Sequence, residues 1–193
     1  MTSKILIEWG TRPEKVKLNP IFREFDKYAI PYVSFFTGQH QDLIQEKDFD
    51  LTFSPNMEKT FSRLNDYSNE IQNFLCCYLE KNRDIEYVMV QGDTVSAFAS
   101  ALAAFHMGRK VIHLEAGLRT WDKSNPWPEE SYRHAISGMA SINFCATQSN
   151  LDNLGYLQNT SECHIVGNSG MDNLAILNLS TERALFLIFQ QAL

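Results

Sequence analysis

The chain has 193 residues, of which 44% are hydrophobic and 21% charged, a composition typical of one soluble globular domain. Its 17 Lys and Arg against 23 Asp and Glu give a net charge of −6, which argues against nonspecific nucleic-acid binding. No apolar run approaches the ~20 residues of a membrane span, and no signal peptide or CxxC pair is present, so we expect a cytoplasmic protein with reduced cysteines.

Strands and helices are predicted to alternate along the chain. Short apolar runs predict buried strands at 4–9, 32–36, 87–90, 110–114, 142–145 and 163–166. Between and after them, helices are predicted from Thr11 onward and at 43–47, 61–81, 95–107, 129–139, 149–157 and 169–179, with a loop at 48–60. This alternation predicts an α/β fold with a parallel sheet and helices on both faces.

Local signals set some helix ends. Thr11 and Glu14 have the spacing of a capping box at the start of the first helix, in which Pro20 is expected to cause a kink or an early end. Either Asp93 or Thr94 is expected to cap the helix at 95–107.

Polar clusters follow four of the predicted strands directly: GTRPE, TGQH, QGDT and HLEAGLRT. Ligands of parallel α/β sheets bind beyond the carboxyl ends of the strands, so we expect these clusters to meet at one edge and form a site. The segment HLEAGLRTWDKSNPWPEE at 113–130 combines carboxylates with Pro and Trp. This combination favours the wall of a pocket over a solvent-exposed loop that carries charged side chains.

Several residues have both a functional and a structural interpretation. Arg12 and Lys17 can hold an anion near a helix N-terminus, or can be ordinary surface cations. His40 and His113 can act as acid–base groups, or can be structural histidines.

The acidic residues also carry alternatives. Asp93 can be a base, a sugar-hydroxyl acceptor or a helix cap. Glu115 and Glu129 are the strongest candidates for a pair of proton-transfer residues, because two carboxylates in unlike environments can divide the acid and base roles. The spacings are not typical of a metal site, and we expect no metal or cofactor.

Six motifs in order, GTRPExxK, TGQH, QGDT, HLEAGLRT, SNPWPEE and VGNSxxDNL, make the chain similar to the N-terminal domain of the bacterial non-hydrolysing UDP-N-acetylglucosamine 2-epimerases. The resemblance implies a Rossmann-like, doubly wound domain that corresponds to one half of a two-domain glycosyltransferase-B-type fold. It also implies interconversion of UDP-N-acetylglucosamine and UDP-N-acetylmannosamine by elimination and re-addition of UDP, for surface polysaccharide synthesis.

The resemblance also implies roles for single residues, carried over by motif. Asp93, Glu115 and Glu129 match acidic residues with acid–base and positioning roles, and Arg12 and Lys17 would face the phosphate or the reacting centre. The remaining candidates that match the family are Gln39 and His40 in the TGQH turn. We infer, apart from the motif match, that Arg119 and Glu130 contact the acids and support them.

The sequence departs from the family's pattern at several points. Trp121 replaces a Gly in what is usually RTGD, and Tyr132 replaces the usual Asn after PEE. Gln148 and Gln41 stand where a Glu and an Arg are usual. Together these changes suggest a diverged member.

We expect residues 1–179 to form the epimerase-like domain and 180–193 a tail or the start of a linker, with the family's second, nucleotide-binding domain absent. The leading hypothesis is therefore a truncated or split epimerase, completed by a homodimer partner or a separate C-terminal domain. The alternative is an inactive binding or scaffold domain, and a glycosyltransferase-like enzyme is a third possibility that EAGLRT and PWPEE make less favoured.

Overall fold

The computed structural model describes residues 3–39, 49–52, 63–157 and 159–176, and within them one sheet of seven parallel strands. The strands are β1 (Lys4–Trp9), β2 (Tyr32–Phe36), β3 (Leu51–Thr52), β4 (Ile85–Gln91), β5 (Lys110–Ala116), β6 (Ile142–Cys145) and β7 (Glu162–Ile165). Their order is β3-β2-β1-β4-β5-β6-β7, so the direction of winding reverses between β1 and β4. The predicted α/β class with a doubly wound parallel sheet is confirmed.

Helices cover both faces of this sheet. They are α1 (Arg12–Lys27), α2 (Arg63–Lys81), α3 (Val95–His106), α4 (Glu129–Met139), α5 (Gln148–Asp152) and α6 (Ser169–Ile176). The helices α1 and α6 pack against each other, while α3 packs between α2 and α4.

The alternation of side chains along β1 separates two cores. Ile7 and Trp9 point to one face and pack with Leu18 and Phe22 of α1. Leu6 belongs to the other face, where the core includes residues of α2, α3 and α4. Because successive side chains of a strand point to opposite faces, each short apolar run contributes side chains to the core on both faces of the sheet.

The expected caps are present. The Glu14 N–H donates to Thr11 Oγ1 and the Glu14 carboxylate accepts the N–H of Thr11, which completes the capping box. At α3 the cap is Thr94, whose Oγ1 accepts the N–H of Ala97 at 3.1 Å, so Asp93 is left for another role.

Some local expectations were wrong. Residues 51–52 of the predicted loop form β3, a strand too short to show a side-chain period. An early end of α1 at Pro20 is also wrong, because the helix continues to Lys27 with the proline ring buried, whereas the kink expected there stays a prediction. The predicted helix at 149–157 is instead the short α5 followed by a 3-10 turn, Gly155–Leu157.

The predicted helix at 43–47 and the tail 180–193 lie outside the described residues. Across the described ranges, no helix has the length and apolar character needed to cross a bilayer. The four cysteines have free thiols.

Candidate active site

The polar clusters after β1, β4 and β5 lie together at the carboxyl edge of the sheet, beside the reversal between β1 and β4. This is the position at which open α/β sheets bind ligands. Three groups of side chains build it, and each joins residues that are far apart in the sequence.

The first group centres on Glu115. Its Oε2 accepts a hydrogen bond from Lys17 Nζ at 2.6 Å and a second, very short one from Gln91 Nε2. Lys17 comes from α1, Gln91 ends β4 and Glu115 lies near the end of β5, so one carboxylate joins three elements. Lys17 and Glu115 are both partly open to solvent, which leaves them accessible to a ligand.

The backbone at Glu115 is unusual and places its side chain. The pairing of β5 with β6 shifts register between Leu114 and Ala116, and Glu115 has φ +62°. A bulge re-aims the side chain of a strand residue, and non-glycine residues rarely adopt positive φ. The strand therefore delivers this carboxylate to the rim instead of to a face of the sheet.

The second group is a chain of charged side chains centred on Arg133 of α4. Arg133 Nε donates to Asp93 Oδ2 at 2.6 Å, and its NH1 donates to Glu130 Oε2 at 3.0 Å. His134 Nε2 lies 3.3 Å from Glu130 Oε1. Sequence reasoning missed Arg133; only its spacing of three from Glu130 on one helix hinted at a pair.

Glu130 is fully buried and also anchors the loop before α4. Its two oxygens accept the N–H groups of Thr120 at 3.1 Å and Trp121 at 3.0 Å. Burial alone would raise the pKa of Glu130, but the hydrogen bonds from Thr120, Arg133 and Trp121 outweigh it and lower the pKa to about 2. Glu130 thus supports the site as a permanent carboxylate behind Asp93.

The third group ties two helix N-termini together through Glu14. This buried carboxylate accepts the N–H groups of Gly10 at 2.7 Å and Thr11 at 2.8 Å, and the hydroxyl of Thr94 at 2.8 Å. The β1–α1 turn, which carries Arg12, is thereby fixed to the β4–α3 turn, which carries Asp93. Burial raises the pKa of Glu14, although these hydrogen bonds act in the opposite direction.

A second buried carboxyl, Glu8, lies in β1 near this group. It is fully buried, and within the described residues neither of its oxygens meets a well-directed hydrogen-bond donor. Burial, reinforced by the charge of Glu14, raises the pKa of Glu8 well above its ordinary value, which favours the neutral form of this carboxyl. The sequence analysis assigned no role to Glu8.

The histidine and glutamine candidates fall into different positions. His113 is buried, with Nε2 2.8 Å from the Gly92 carbonyl and Nδ1 3.2 Å from Ser137 Oγ. Burial, together with the nearby Arg119, lowers the pKa of His113 to about 4, and with the two contacts this favours the interpretation as a structural histidine. Gln39 accepts a hydrogen bond from Ser96 Oγ at 2.7 Å, and His40 lies outside the described residues.

The remaining predicted site residues are placed around these groups. Arg12 is exposed at the start of α1, and Glu129 is half-buried at the start of α4. Arg119 donates from NH1 to the Leu118 carbonyl at 2.9 Å, while its Nε and NH2 are buried without a hydrogen-bond partner among the described residues.

A cavity of about 390 Å³ opens beside the Glu115 group, between α1, α6 and the sheet. Its floor is apolar and includes Met89, Ile112 and Phe144, and its polar end is formed by Lys17, Gln91 and Glu115. An apolar cleft with a few placed polar groups is typical of a small-molecule site. Over the part of the chain that the structure describes, no group of three or more His, Cys, Asp or Glu side chains is placed to hold a metal ion.

The fold and this edge define a Rossmann-like α/β domain with a carboxylate-rich, arginine-supported cleft at the topological switch point. Residues 24–188 match the family described as UDP-N-acetylglucosamine 2-epimerase, and the chain belongs to that family.

Named relatives show the same likeness. The UDP-N-acetylglucosamine 2-epimerase of Salmonella borreze is 34% identical over an alignment of 185 positions that covers 90% of this chain and 47% of that protein. The structure of the UDP-GlcNAc 2-epimerase from Neisseria meningitidis bound to UDP-GlcNAc superimposes with a TM-score of 0.80 at 32% identity, covering 90% of this chain and 49% of that one. The enzyme from Methanocaldococcus jannaschii, in complex with UDP-GlcNAc and UDP, gives a TM-score of 0.78 at 29% identity, covering 95% and 53%. The chain thus spans about half the length of the relatives it matches.

Proposed function

We propose that this chain provides the domain with the proton-transfer residues of a non-hydrolysing UDP-N-acetylglucosamine 2-epimerase. Such an enzyme interconverts UDP-N-acetylglucosamine and UDP-N-acetylmannosamine. The observation that carries the proposal is the meeting of Lys17–Glu115–Gln91 with the Asp93–Arg133 pair at one sheet edge. The two groups are close, since a Cβ built on Gly92, next to Asp93, would lie 3.9 Å from Glu115 Oε2.

In the proposed reaction a carboxylate removes the proton from C2 of the sugar while the bond between C1 and the UDP oxygen breaks. The electron pair of the C–H bond forms a C1=C2 double bond, and UDP leaves with the electrons of the C–O bond. Return of UDP to C1 and of a proton to the opposite face of C2 gives the epimer. The site must therefore supply a base, an acid and positive charge for the departing phosphate.

We assign these parts to residues as follows. Asp93, Glu115 and Glu129 are the proton-transfer candidates, and Arg12 and Lys17 are the cations for the diphosphate. Gln39, which follows β2, is proposed to contact the substrate, and His40, outside the described residues, is kept as a second candidate. Arg119, Arg133 and Glu130 position the acids, with Arg133 holding the Asp93 carboxylate in a fixed orientation.

Because the relatives are about twice as long, the proposal leaves half of the cleft to a second copy, to a separate polypeptide or to residues beyond this sequence. Residues 1–179 form the domain in this proposal. Sedimentation of the purified chain, alone and with the C-terminal half of a relative supplied separately, distinguishes a homodimer from a two-part enzyme.

The test is NMR and mass spectrometry of the purified chain with UDP-N-acetylglucosamine in D2O, with and without that C-terminal half. The expected products are UDP-N-acetylmannosamine, UDP and the 2-acetamidoglucal, with deuterium at C2 of both sugars. Asp93→Asn and Glu115→Gln should abolish exchange. The matched control is Glu162→Gln, since Glu162 is an exposed carboxylate at the amino end of β7.

The absence of product and of C2 exchange under both conditions, with the fold intact, would refute the enzymatic proposal. Binding of the nucleotide sugar without exchange would then support a binding domain of the same fold.

A further inference from the structure

Two exposed indoles stand on the loop 117–128 between β5 and α4. Trp121 is 65% exposed and Trp127 is 68% exposed, whereas Trp9, the third tryptophan, is fully buried. Tryptophan is enriched at binding interfaces, because its ring is apolar and its N–H can still donate a hydrogen bond.

Trp121 occupies a backbone conformation that L side chains rarely adopt, with φ +63°. The Glu130 carboxylate holds this conformation by accepting the N–H groups of Thr120 and Trp121. A glycine would adopt it without strain. The indole is mostly exposed, so packing within this chain offsets little of the backbone strain. Strained residues of this kind are concentrated at functional sites.

The loop is tied internally, so the indole is presented in a fixed place. Thr120 Oγ1 donates to the Asn125 carbonyl at 2.7 Å, and Ser124 donates from its N–H to Asp122 Oδ1 at 2.9 Å. A loop that is ordered before binding loses less entropy when a ligand arrives.

Trp121 also connects to the proposed catalytic acids. Its ring packs edge-on against His134 with 5.7 Å between centroids. His134 contacts Glu130, which pairs with Arg133, which in turn holds Asp93. Three side chains thus link the indole to Asp93, one of the two carboxylates at which we place the reacting carbons.

We propose that Trp121 is a specificity-determining residue for the sugar ring of the nucleotide sugar, an inference that rests on the proposed function. The face of a pyranose ring that carries C–H groups packs on the indole while the charged groups hold its polar atoms. The sugar, and not the base, is the ring at this place, because C1 and C2 must lie at Asp93 and Glu115 and the diphosphate separates the base from them.

The test is NMR of the indole N–H groups during titration of the full chain with UDP-N-acetylglucosamine and, separately, with UDP. Trp9 serves as an internal reference, since its Nε1–H is buried and donates to Ser34 Oγ at 2.9 Å. We expect the Trp121 signal, assigned from Trp121→Gly, to move with the nucleotide sugar and to stay in place with UDP.

Trp121→Gly should weaken binding of UDP-N-acetylglucosamine about fivefold to tenfold, the size of one aromatic contact, and leave the affinity for UDP unchanged. Trp121→Phe should restore part of the loss. Trp127→Phe is the matched control, because this indole has a similar exposure on the same loop. The unfolding midpoint of Trp121→Gly should not fall, since glycine suits the positive φ.

Different outcomes separate this inference from the proposed function. If the nucleotide sugar shifts the amides of Lys17 and Glu115 while the Trp121 indole is unmoved, or if Trp121→Gly keeps full affinity, the inference is wrong and the function stands. If neither nucleotide binds, with or without the C-terminal half of a relative, both are wrong. If Trp121→Gly instead abolishes self-association with sugar affinity intact, the indole lies at an interface between copies and the inference is overturned.

Discussion

Arg133 offers the sharpest test of how this site is held together. Its side chain is 12% exposed, and its guanidinium joins Asp93 to Glu130, whose side chain is fully buried. In Arg133→Met the aliphatic stem keeps its approximate volume, but both carboxylates lose their cation. Removing one partner of a buried ion pair costs about 3–5 kcal/mol, because a buried charge is left uncompensated.

The cost here should lie below that range, at about 2–3 kcal/mol, for two reasons. Glu130 keeps its hydrogen bonds from the backbone N–H groups of Thr120 and Trp121, and Asp93 is exposed enough to gain water. Urea unfolding followed by circular dichroism at pH 7, with wild type and variant fitted to a common slope, measures this difference.

The dependence on pH adds a second readout. The pKa of Glu130 is lowered to about 2 in the folded protein, so the stability that its ionised form contributes is present above about pH 4.5 and is lost as the pH falls. Arg133→Met removes one cause of the lowered pKa, so its deficit should be largest near pH 7 and should shrink toward pH 3.

The matched control is Lys110→Met, which removes the cation of an ion pair at the protein surface. Lys110 Nζ lies 3.2 Å from Glu86 Oε1, but both side chains are about half exposed, so little stability should be lost. If Arg133→Met costs no more than Lys110→Met, or if its cost is the same at pH 3 and pH 7, the charged chain does not stabilise the site as argued.

Two further predictions concern Glu8 and Gly117. Burial raises the pKa of Glu8 in the folded protein, so the free energy of unfolding of the wild type should fall as the pH rises from about 4.5 through that raised pKa. Glu8→Gln should remove this decline in urea unfolding across pH 4–9, whereas Glu162→Gln, at an exposed position, should not. An unchanged pH profile in Glu8→Gln would contradict the interpretation of Glu8 as a buried acid. Gly117→Ala should destabilise by more than about 2 kcal/mol, because a Cβ there would lie 2.1 Å from the Asn150 carbonyl oxygen at φ +80°. Gly108→Ala shares the positive φ without a neighbour within 4 Å, so equal unfolding midpoints for the two variants would exclude the steric explanation.

Much of the fold could be predicted because its signals are local. The strands are short apolar runs, the capping box at Thr11 and Glu14 is a spacing of three, and α4 begins and ends where the pattern places it, at Glu129 and Met139. The two-residue strand β3 could not be found, because such a segment has no period and exists only through its pairing with β2.

The site was harder to predict because its contacts are long-range. Sequence order places Asp93 and Glu115 at strand ends, but the contact of Arg133 with Asp93 spans 40 residues and depends on the packing of α4. The bulge that turns Glu115 toward the rim comes from the pairing of β5 with β6, which no local pattern encodes. Position after the strands and the resemblance both indicated Asp93 and Glu115, and the structure added Arg133, the side chain that binds Asp93.

One buried carboxylate, Glu14, fixes the relative positions of two turns that form the proposed cleft. Lys17 and Arg12 belong to α1, and Asp93 belongs to the turn before α3, so their separation would vary if the two turns moved independently. Glu14 prevents this by accepting both backbone N–H groups of the first turn and the Thr94 hydroxyl of the second. Because Thr94 also caps α3, the carboxylate couples the two helix N-termini, and a ligand meets cations and acid in a fixed relation.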